Sequence, residues 1–424
     1  MKNIIKIINK GYDNYLGRYN IEEMINEEKK IFYFNNGDYI NPKLEIAFDR
    51  KKGIKIIAKD NINKGEYILV EKSIYCCRIH DPNNDFESAN KIQNPLEFIG
   101  EIEYIDCIHN FIKILKKSPL DYKEFFILFN GENLNQNYEE RIKKLPNDLI
   151  SLINIELIEK IFKYNKYTTI RYLYYKNKIG VGLWKYFSLF NHSCLPNTTN
   201  LGIGDFIIVT ANRQIKKGEE ITVLYFTTPK YKEYTKNIIK NIYNFECDYP
   251  LCEMEKKSKE KYPELIIYYD EYINKLKNSD KYSIQEHSKN IGDFISFLGK
   301  NKNILSDILI GKGYFMIQSC CGNIIDATYF YEQANNYLKN IDVECTKINI
   351  NIYLDFCQTL KDKGHIDSDT YNKAYKDIID FYRIYFNLKE KEVKLLLKVN
   401  YEERINEIKL IARENKQSQF IFPQ

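Results

Sequence analysis

The chain lacks what would tie it to a bilayer, a secretory route or a nucleic acid. None of its apolar runs approaches the ~18 residues needed to cross a membrane. The stretch Met1 to Lys10 mixes Lys and Asn with Ile, without the continuous apolar core and small-residue cleavage site of a signal peptide. These absences predict a soluble, intracellular protein of the cytoplasm, the nucleus or both. Neither sign of charge prevails: 63 Lys and Arg stand against 58 Asp and Glu, a net +5 over 424 residues. A direct nucleic-acid binder would need a dominant and clustered basic face, and no basic tail is present. One Trp stands against 36 Tyr. Lys, Asn, Ile and Tyr are abundant throughout, which reads as a bias of base composition, so a tyrosine gains meaning only from its neighbours.

Cysteine is present at 10 positions but not in a disulfide-like arrangement. In an intracellular protein these are expected as reduced thiols or metal ligands. Cys76-Cys77 and Cys320-Cys321 are adjacent pairs, poorly placed to bridge each other, and read as small buried apolar residues. Cys76, Cys77 and Cys107 with His80 and His109 follow no zinc-ligand spacing. His80 and His109 read as packed or surface histidines.

What is present suffices for a core, with 44% hydrophobic residues and a length that suits two or three domains. Residues 1–43 read as an extension, with a helix around Ile21 to Phe34 and a turn at Asn36-Gly37-Asp38. From Leu44 the pattern becomes strand: Leu44 to Phe48 alternates, Ile54 to Ala58 follows Gly53, and Tyr67 to Val70 follows the turn Asn63-Lys64-Gly65-Glu66. Residues 80–165 read as helical. Leu96, Ile99, Ile102, Ile105, Ile108, Ile112 and Leu115 recur at helical spacing, and a second helix is expected from Asp148 through Ile161. Strands are expected at Asp205 to Ala211 and Ile221 to Tyr225, then a helix from about Pro229 to Tyr243. From Glu253 onward the reading is helical. Pro263 opens one helix, Ala327, Phe330, Ala334, Tyr337 and Ile341 stripe another, and Asp367-Ser368 caps a third.

Three polar segments stand out in order. Phe190-Asn191-His192-Ser193-Cys194-Leu195-Pro196-Asn197 comes first, Gly218-Glu219-Glu220-Ile221-Thr222-Val223-Leu224-Tyr225 second, and Tyr243-Asn244-Phe245-Glu246-Cys247-Asp248-Tyr249-Pro250-Leu251-Cys252 third. Together they resemble the C-terminal half of a SET domain with its post-SET segment, the fold of most protein lysine methyltransferases, and in detail the SET–MYND branch. Gly53, Ala58, Ile62, Gly65 and Glu66 resemble the family's first part, while Lys55 stands where a second glycine is expected and leaves the shape of that cofactor wall open. The MYND zinc module needs a dense series of Cys-x-x-Cys pairs and is expected to be absent.

The resemblance implies an α+β fold: a SET β-clip of short sheets over residues 44–230 with a helical insert at about 81–165. A post-SET segment at 231–255 and an all-helical, tetratricopeptide-like domain at 256–424 follow. It implies transfer of a methyl group from S-adenosylmethionine to a lysine of a histone or other protein. Tyr225 would be the catalytic tyrosine at the transfer pore, bordering the cofactor as well, and Tyr243 would line the lysine channel. Gly53, Lys55, Asn191, His192 and Phe245 would contact the cofactor, Phe245 packing on its adenine. Pro196 and Asn197 would stiffen a segment that the family threads into a pseudoknot. The family's zinc is held by the Asn-His-Ser-Cys cysteine and three post-SET cysteines. Cys194, Cys247 and Cys252 match, but Tyr249 occupies the middle place. Three thiolates do not complete a tetrahedral structural site. Asp248 or a cysteine from elsewhere is the candidate fourth ligand; without one the cysteines only pack, and the expectation is that zinc is not stably held. The expected partner is a protein substrate, with no nucleic acid, no membrane and a monomeric chain. Two other readings stay open: a catalytically weak SET scaffold that binds partners through its helical domain, and a methyltransferase acting on a small molecule or a non-lysine target.

Overall fold

The structure, a computed structural model, describes residues 39–79, 101–132, 135–169, 179–203, 206–225, 245–261, 304–318, 324–339, 341–362 and 364–391, with isolated positions such as 240 and 243 besides. The helices expected around Ile21 to Phe34, from about Pro229 to Tyr243 and from Pro263 lie outside these residues. Two compact units result. One runs to Asn191 and adds Asn200–Ile221 and the segment from Phe386; the other comprises His192–Thr199 and Thr222–Tyr385.

Short antiparallel strands organise the first unit. β1 (Tyr39–Ile40) precedes β2 (Leu44–Asp49), which pairs with β3 (Gly53–Ala58), Leu44 lying opposite Ala58 and Asp49 opposite Gly53. The connecting turn needs a glycine, because Gly53 sits at φ 76°, where a side chain would be strained. β4 (Tyr67–Lys72) and β5 (Tyr75–Ile79) follow. After the helical region come β6 (Tyr167–Thr169), β7 (Ile179–Leu183), β8 (Asn191–His192), β9 (Thr198–Ile203), β10 (Phe206–Ala211) and β11 (Thr222–Val223). They form sheets ordered β1-β4-β10-β9, β11-β8, β2-β3 and β5-β7-β6. β4 and β10 are central and buried at Ile68, Leu69, Val70, Ile207, Ile208 and Val209, as their apolar runs require. The strand expected over Ile221 to Tyr225 is shorter, because only Thr222 and Val223 pair.

The insert is helical where it is described. α1 (Glu101–Lys117), a 3-10 segment Pro119–Ile127 and α3 (Ile155–Asn165) close over one core, and α2 (Tyr138–Lys143) lies between the last two in the chain. Ile108, Phe111, Leu115, Phe125, Ile158, Ile161 and Phe162 are buried together there. The helix expected from Asp148 begins later. Residues Leu149–Leu152 make a 3-10 turn, and Asn154 then accepts the Leu157 N–H at 2.8 Å, so its side chain caps a fresh start.

β7 is read as strand only by the structure. Gly182 within it leaves room for the indole of Trp184: a Cβ there would lie 2.4 Å from the ring, and Trp184 is fully buried. Gly182→Ala should therefore displace the ring and lower stability by about 1–3 kcal/mol, read as a lower melting temperature. An unchanged melting temperature would contradict this packing.

The second unit is mostly helical: α4 (Pro250–Lys261), α5 (Ile304–Gln318), α6 (Ile324–Leu338), α7 (Val343–Asp362) and α8 (Ser368–Phe386). Asp367 accepts the Thr370 N–H at 2.7 Å, as the expected cap requires. Gly311 lets α5 approach α6 closely, since a Cβ would meet Leu338 at 2.5 Å. Tyr331 of α6 stacks on Tyr353 of α7 at 3.9 Å between centroids and donates its hydroxyl to Asp377 of α8 at 3.0 Å. Among the described residues no helix is long and apolar enough to cross a membrane.

Candidate active site

The approach to Asn191 is fixed from below. Glu71 of β4 is buried, and its two carboxylate oxygens accept the N–H groups of Tyr186 and Phe187 at 2.9 Å each. Trp184 anchors the same stretch, and a 3-10 turn over Phe187–Leu189 delivers Phe190 and Asn191. Asn191 donates its amide hydrogens to the Glu220 carboxylate at 2.8 Å and the Ile54 carbonyl at 3.3 Å. Both partners can only accept, so the orientation of the amide is forced and Oδ1 is the edge that remains to accept. Glu220 is itself held against β3, where Ile57 bridges it and Ile221 donates to the Ile56 carbonyl at 2.8 Å. Gly53 and Lys55 lie on the same strand. Lys55 is half-buried, and its ammonium lies 3.7 Å from Asp49 across the hairpin. Asp49 is held below the usual carboxylate range by the N–H groups of Lys51 and Lys52, with Lys55 adding to them.

The second unit gathers the other expected residues. His192 is buried, with Nδ1 accepting the Tyr225 N–H at 3.1 Å. Ring centroids lie 5.2 Å apart for His192 and Tyr225, 5.3 Å for Tyr225 and Tyr243, and 6.4 Å for Tyr243 and Phe245. Burial pushes the His192 imidazole down to about 4, so it is neutral at physiological pH. Burial also raises Tyr243, which therefore keeps its hydroxyl proton. Asn197 ties the segment down: its Oδ1 accepts the Thr222 N–H at 2.9 Å, and Thr198 donates its hydroxyl to the Thr222 carbonyl at 2.7 Å.

Of the cysteines matched from the sequence, Cys194 and Cys247 meet. His192, Cys194 and Cys247 present donor atoms all within 4.8 Å of one another. The His192 Nε2 lies 3.3 Å from the Cys194 sulfur. Hydrogen bonds from Cys194 and Cys252 hold Cys247 low, and the same contacts hold Cys194 high. Lys312 pairs with Asp342 at 3.0 Å; burial opposes its charge, and Asp342, Cys345 and Cys194 together keep the ammonium protonated. Soft thiolates of this kind suit a zinc-like ion, so the donor chemistry fits the metal that the sequence pattern implied. His109 is exposed on α1, whereas His80 and the side chains of Cys76, Cys77 and Cys107 lie outside the described residues.

Sequence reasoning missed Glu71. Glu220 stands in the sequence only as part of a motif, and nothing in the spacing places His192 beside the thiols. A signal existed for Glu220, since a Gly-Glu-Glu run ahead of a strand leaves one carboxylate on the strand side. Glu71 offered none, because an acidic residue at a strand end reads as solvent-facing.

Residues 53–226 match the family model described as SET domain. Mouse "Histone-lysine N-methyltransferase SMYD3" is 36% identical over 80 residues, covering 19% of this chain and 19% of that protein. The match thus spans about one fifth of that relative's length. "Putative SET domain-containing protein L678" of Acanthamoeba polyphaga mimivirus is 23% identical over 267 residues, 59% of this chain and 93% of that protein. The solved structure "Crystal structure of the SET domain of LSMT bound to Lysine and AdoHcy" aligns at 11% identity with a TM-score of 0.25, covering 78% of this chain and 90% of that one.

Proposed function

We propose that this chain, which carries a SET domain over residues 53–226, is an S-adenosylmethionine-dependent protein-lysine N-methyltransferase. The observation that carries the reading is the forced orientation of Asn191, whose amide is fixed by Glu220 and Ile54 and whose Oδ1 is left to accept a cofactor's amino group. When bound, the cofactor supplies an electrophilic methyl on a sulfonium. The chain's part would be to hold a deprotonated lysine amine in line with that methyl and to keep water away. In this reading the chain positions the groups and shapes the field. Tyr225 and Tyr243 wall the channel with faces that accept a cation and hydroxyls that reach the amine. A neutral Tyr243 hydroxyl contributes a dipole there without a charge that would hold lysine protonated. By the resemblance of the sequence, Phe245 would pack on the adenine, and Gly53, Lys55 and His192 would border the cofactor. The names of the similar proteins, a histone-lysine N-methyltransferase among them, favour a protein substrate, histone or otherwise.

Tyr225→Phe tests the catalytic assignment, because it removes only a hydroxyl. Fold and cofactor affinity should persist. The methylation rate should fall by about 3–10-fold, the worth of one hydrogen bond, or the number of methyls added should change. Mass spectrometry of the product with rate and methyl count both unchanged would contradict the role.

Lys55 favours a second reading, since a side chain paired with Asp49 stands where the family has a glycine. In that reading the chain is a weakly catalytic SET scaffold that engages protein partners through its C-terminal helices, which the sequence pattern likened to tetratricopeptide pairs. Calorimetry separates the two: cofactor binding favours the enzyme, and its absence favours the scaffold.

A further inference from the structure

β2 has one filled edge and one open edge. The filled edge holds β3, and what β3 does on its far side fixes where the polar groups of β2 point. There Ile221 donates to the Ile56 carbonyl at 2.8 Å, and Ala58 exchanges hydrogen bonds with Gly218 and Glu219. Successive residues of an antiparallel strand turn their N–H and C=O groups to alternate sides. Ile56 and Ala58 therefore turn away from β2, and the ladder between the strands rests on Gly53, Lys55 and Ile57, with Asp49, Ala47 and Glu45 opposite. Lys59 extends that ladder by donating to the Lys43 carbonyl at 2.8 Å. Leu44, Ile46 and Phe48 then aim their polar groups at the outer edge. The Leu44 N–H turns back to the Asn41 carbonyl at 3.1 Å. Among the described residues no strand pairs with the outer edge, so the Leu44 carbonyl and both groups of Ile46 and Phe48 face outward there.

Nothing in β2 discourages pairing. Exposed edges are commonly blunted by lysine, proline or a bulge. The run Leu-Glu-Ile-Ala-Phe-Asp has neither residue, and its ladder to β3 runs without a shift. Ile46 is 40% exposed and Phe48 37%, so the edge is apolar as well as open. The strand also complements itself. Outward-facing residues must meet outward-facing residues, so only every second antiparallel register makes the hydrogen bonds. Setting Ile46 opposite the Ile46 of a second copy puts Leu44 opposite the second copy's Phe48, Glu45 opposite its Ala47 and Lys43 opposite its Asp49. Ile46 then exchanges N–H and C=O with its own copy, and each Phe48 N–H meets a Leu44 carbonyl. One allowed step forward sets Glu45 against Asp49, and one step back sets Glu45 against Glu45. Like charges directly opposite each other destabilise a sheet, so both neighbouring registers are disfavoured.

We propose that β2 is a self-association edge: two copies of this chain join β2 to β2, antiparallel, about a two-fold axis through Ile46. Such an interface is isologous, the same patch serving both copies, which is what a self-complementary strand provides. It extends each hairpin into one shared sheet. It also stiffens β3, the strand that carries Gly53 and Lys55. The chain expected from its sequence to be a monomer would then be a dimer.

Sedimentation of the full-length chain at rising concentration tests this, with the parent expected to pass from monomer to dimer. Ile46→Lys sets two ammonium groups against each other at the axis and should weaken association by about tenfold or more. Ile150→Lys, at an exposed apolar position in the insert, is the control and should leave association unchanged. Ile46→Cys tests the register. Opposite residues of a hydrogen-bonded pair lie ~5.5 Å apart at Cα, within disulfide reach, so this variant should cross-link to its own copy on oxidation. Glu45→Cys is offset from its own copy and should cross-link no more than the parent. A parent that stays monomeric at its highest soluble concentration would overturn the proposal. So would a dimer that Ile46→Lys leaves intact, or a cross-link at Glu45→Cys in place of Ile46→Cys. A monomer in which Ile46→Lys weakens only the capture of a protein substrate would overturn it as well, giving the edge to an added peptide strand.

Discussion

Glu71→Ala should lower the unfolding free energy by about 3–5 kcal/mol, because two buried hydrogen bonds to a charged group are lost together. The carboxylate accepts the N–H groups of Tyr186 and Phe187 at 2.9 Å each, in a site where Glu71 is 1% exposed. Alanine leaves both donors without an acceptor in a place that excludes water, and each charge-assisted bond is worth about 1.5–3 kcal/mol. Glu71→Gln should fall between. Its carbonyl oxygen replaces one acceptor, but its NH2 group faces the second N–H and repels it. For a chain of this size the alanine variant should melt roughly 10 °C lower. The loss should not stop at stability, since the stretch that Glu71 pins runs directly into Asn191. A melting temperature within about 2 °C of the parent, the effect of an ordinary surface substitution, would show that the anchor carries little.

Asn191→Ala should weaken S-adenosylmethionine binding by about 10–100-fold, because one hydrogen bond to a charged amine contributes about 1.5–3 kcal/mol. The substitution also strips the Glu220 carboxylate and the Ile54 carbonyl of a donor, which loosens the contact between residues 219–221 and β3. Methylation at low cofactor concentration should fall in parallel, with less effect at saturation. His109→Ala, at an exposed position on α1, is the control and should leave binding unchanged. Equal affinities for the parent and Asn191→Ala, measured by calorimetry, would remove Asn191 from the cofactor site.

The sequence made some elements legible for plain physical reasons. β2, β3 and β4 alternate or run apolar between turns closed by Gly53 and Gly65, both at positive φ. The Asp367 cap announced α8, and the spacing of Ile108, Ile112 and Leu115 announced α1. The sheet of β5, β7 and β6 was not legible. Adjacent cysteines in β5 resemble core residues of any class, and Gly180 and Gly182 erase the alternation of β7. Gly182 is explained only by Trp184, a contact that no local pattern records. Within the site, the ordered segments around Asn191, Tyr225 and Cys247 could be read as words. The arrangement that gives them meaning could not. Which edge of Asn191 is left to accept depends on Glu220 and Ile54, and which nitrogen of His192 carries hydrogen depends on the backbone of Tyr225. Such facts belong to hydrogen-bond geometry between distant residues, which residue spacing does not encode.

The central claim is lysine methylation, and one measurement addresses it directly. The purified chain is incubated with methyl-labelled S-adenosylmethionine and whole-cell protein extract, and labelled residues are identified by mass spectrometry. Label is expected on lysine side chains of one or a few proteins, strongly reduced for Asn191→Ala. Label confined to another residue type or to small molecules, or no label above a heat-treated control, would contradict it.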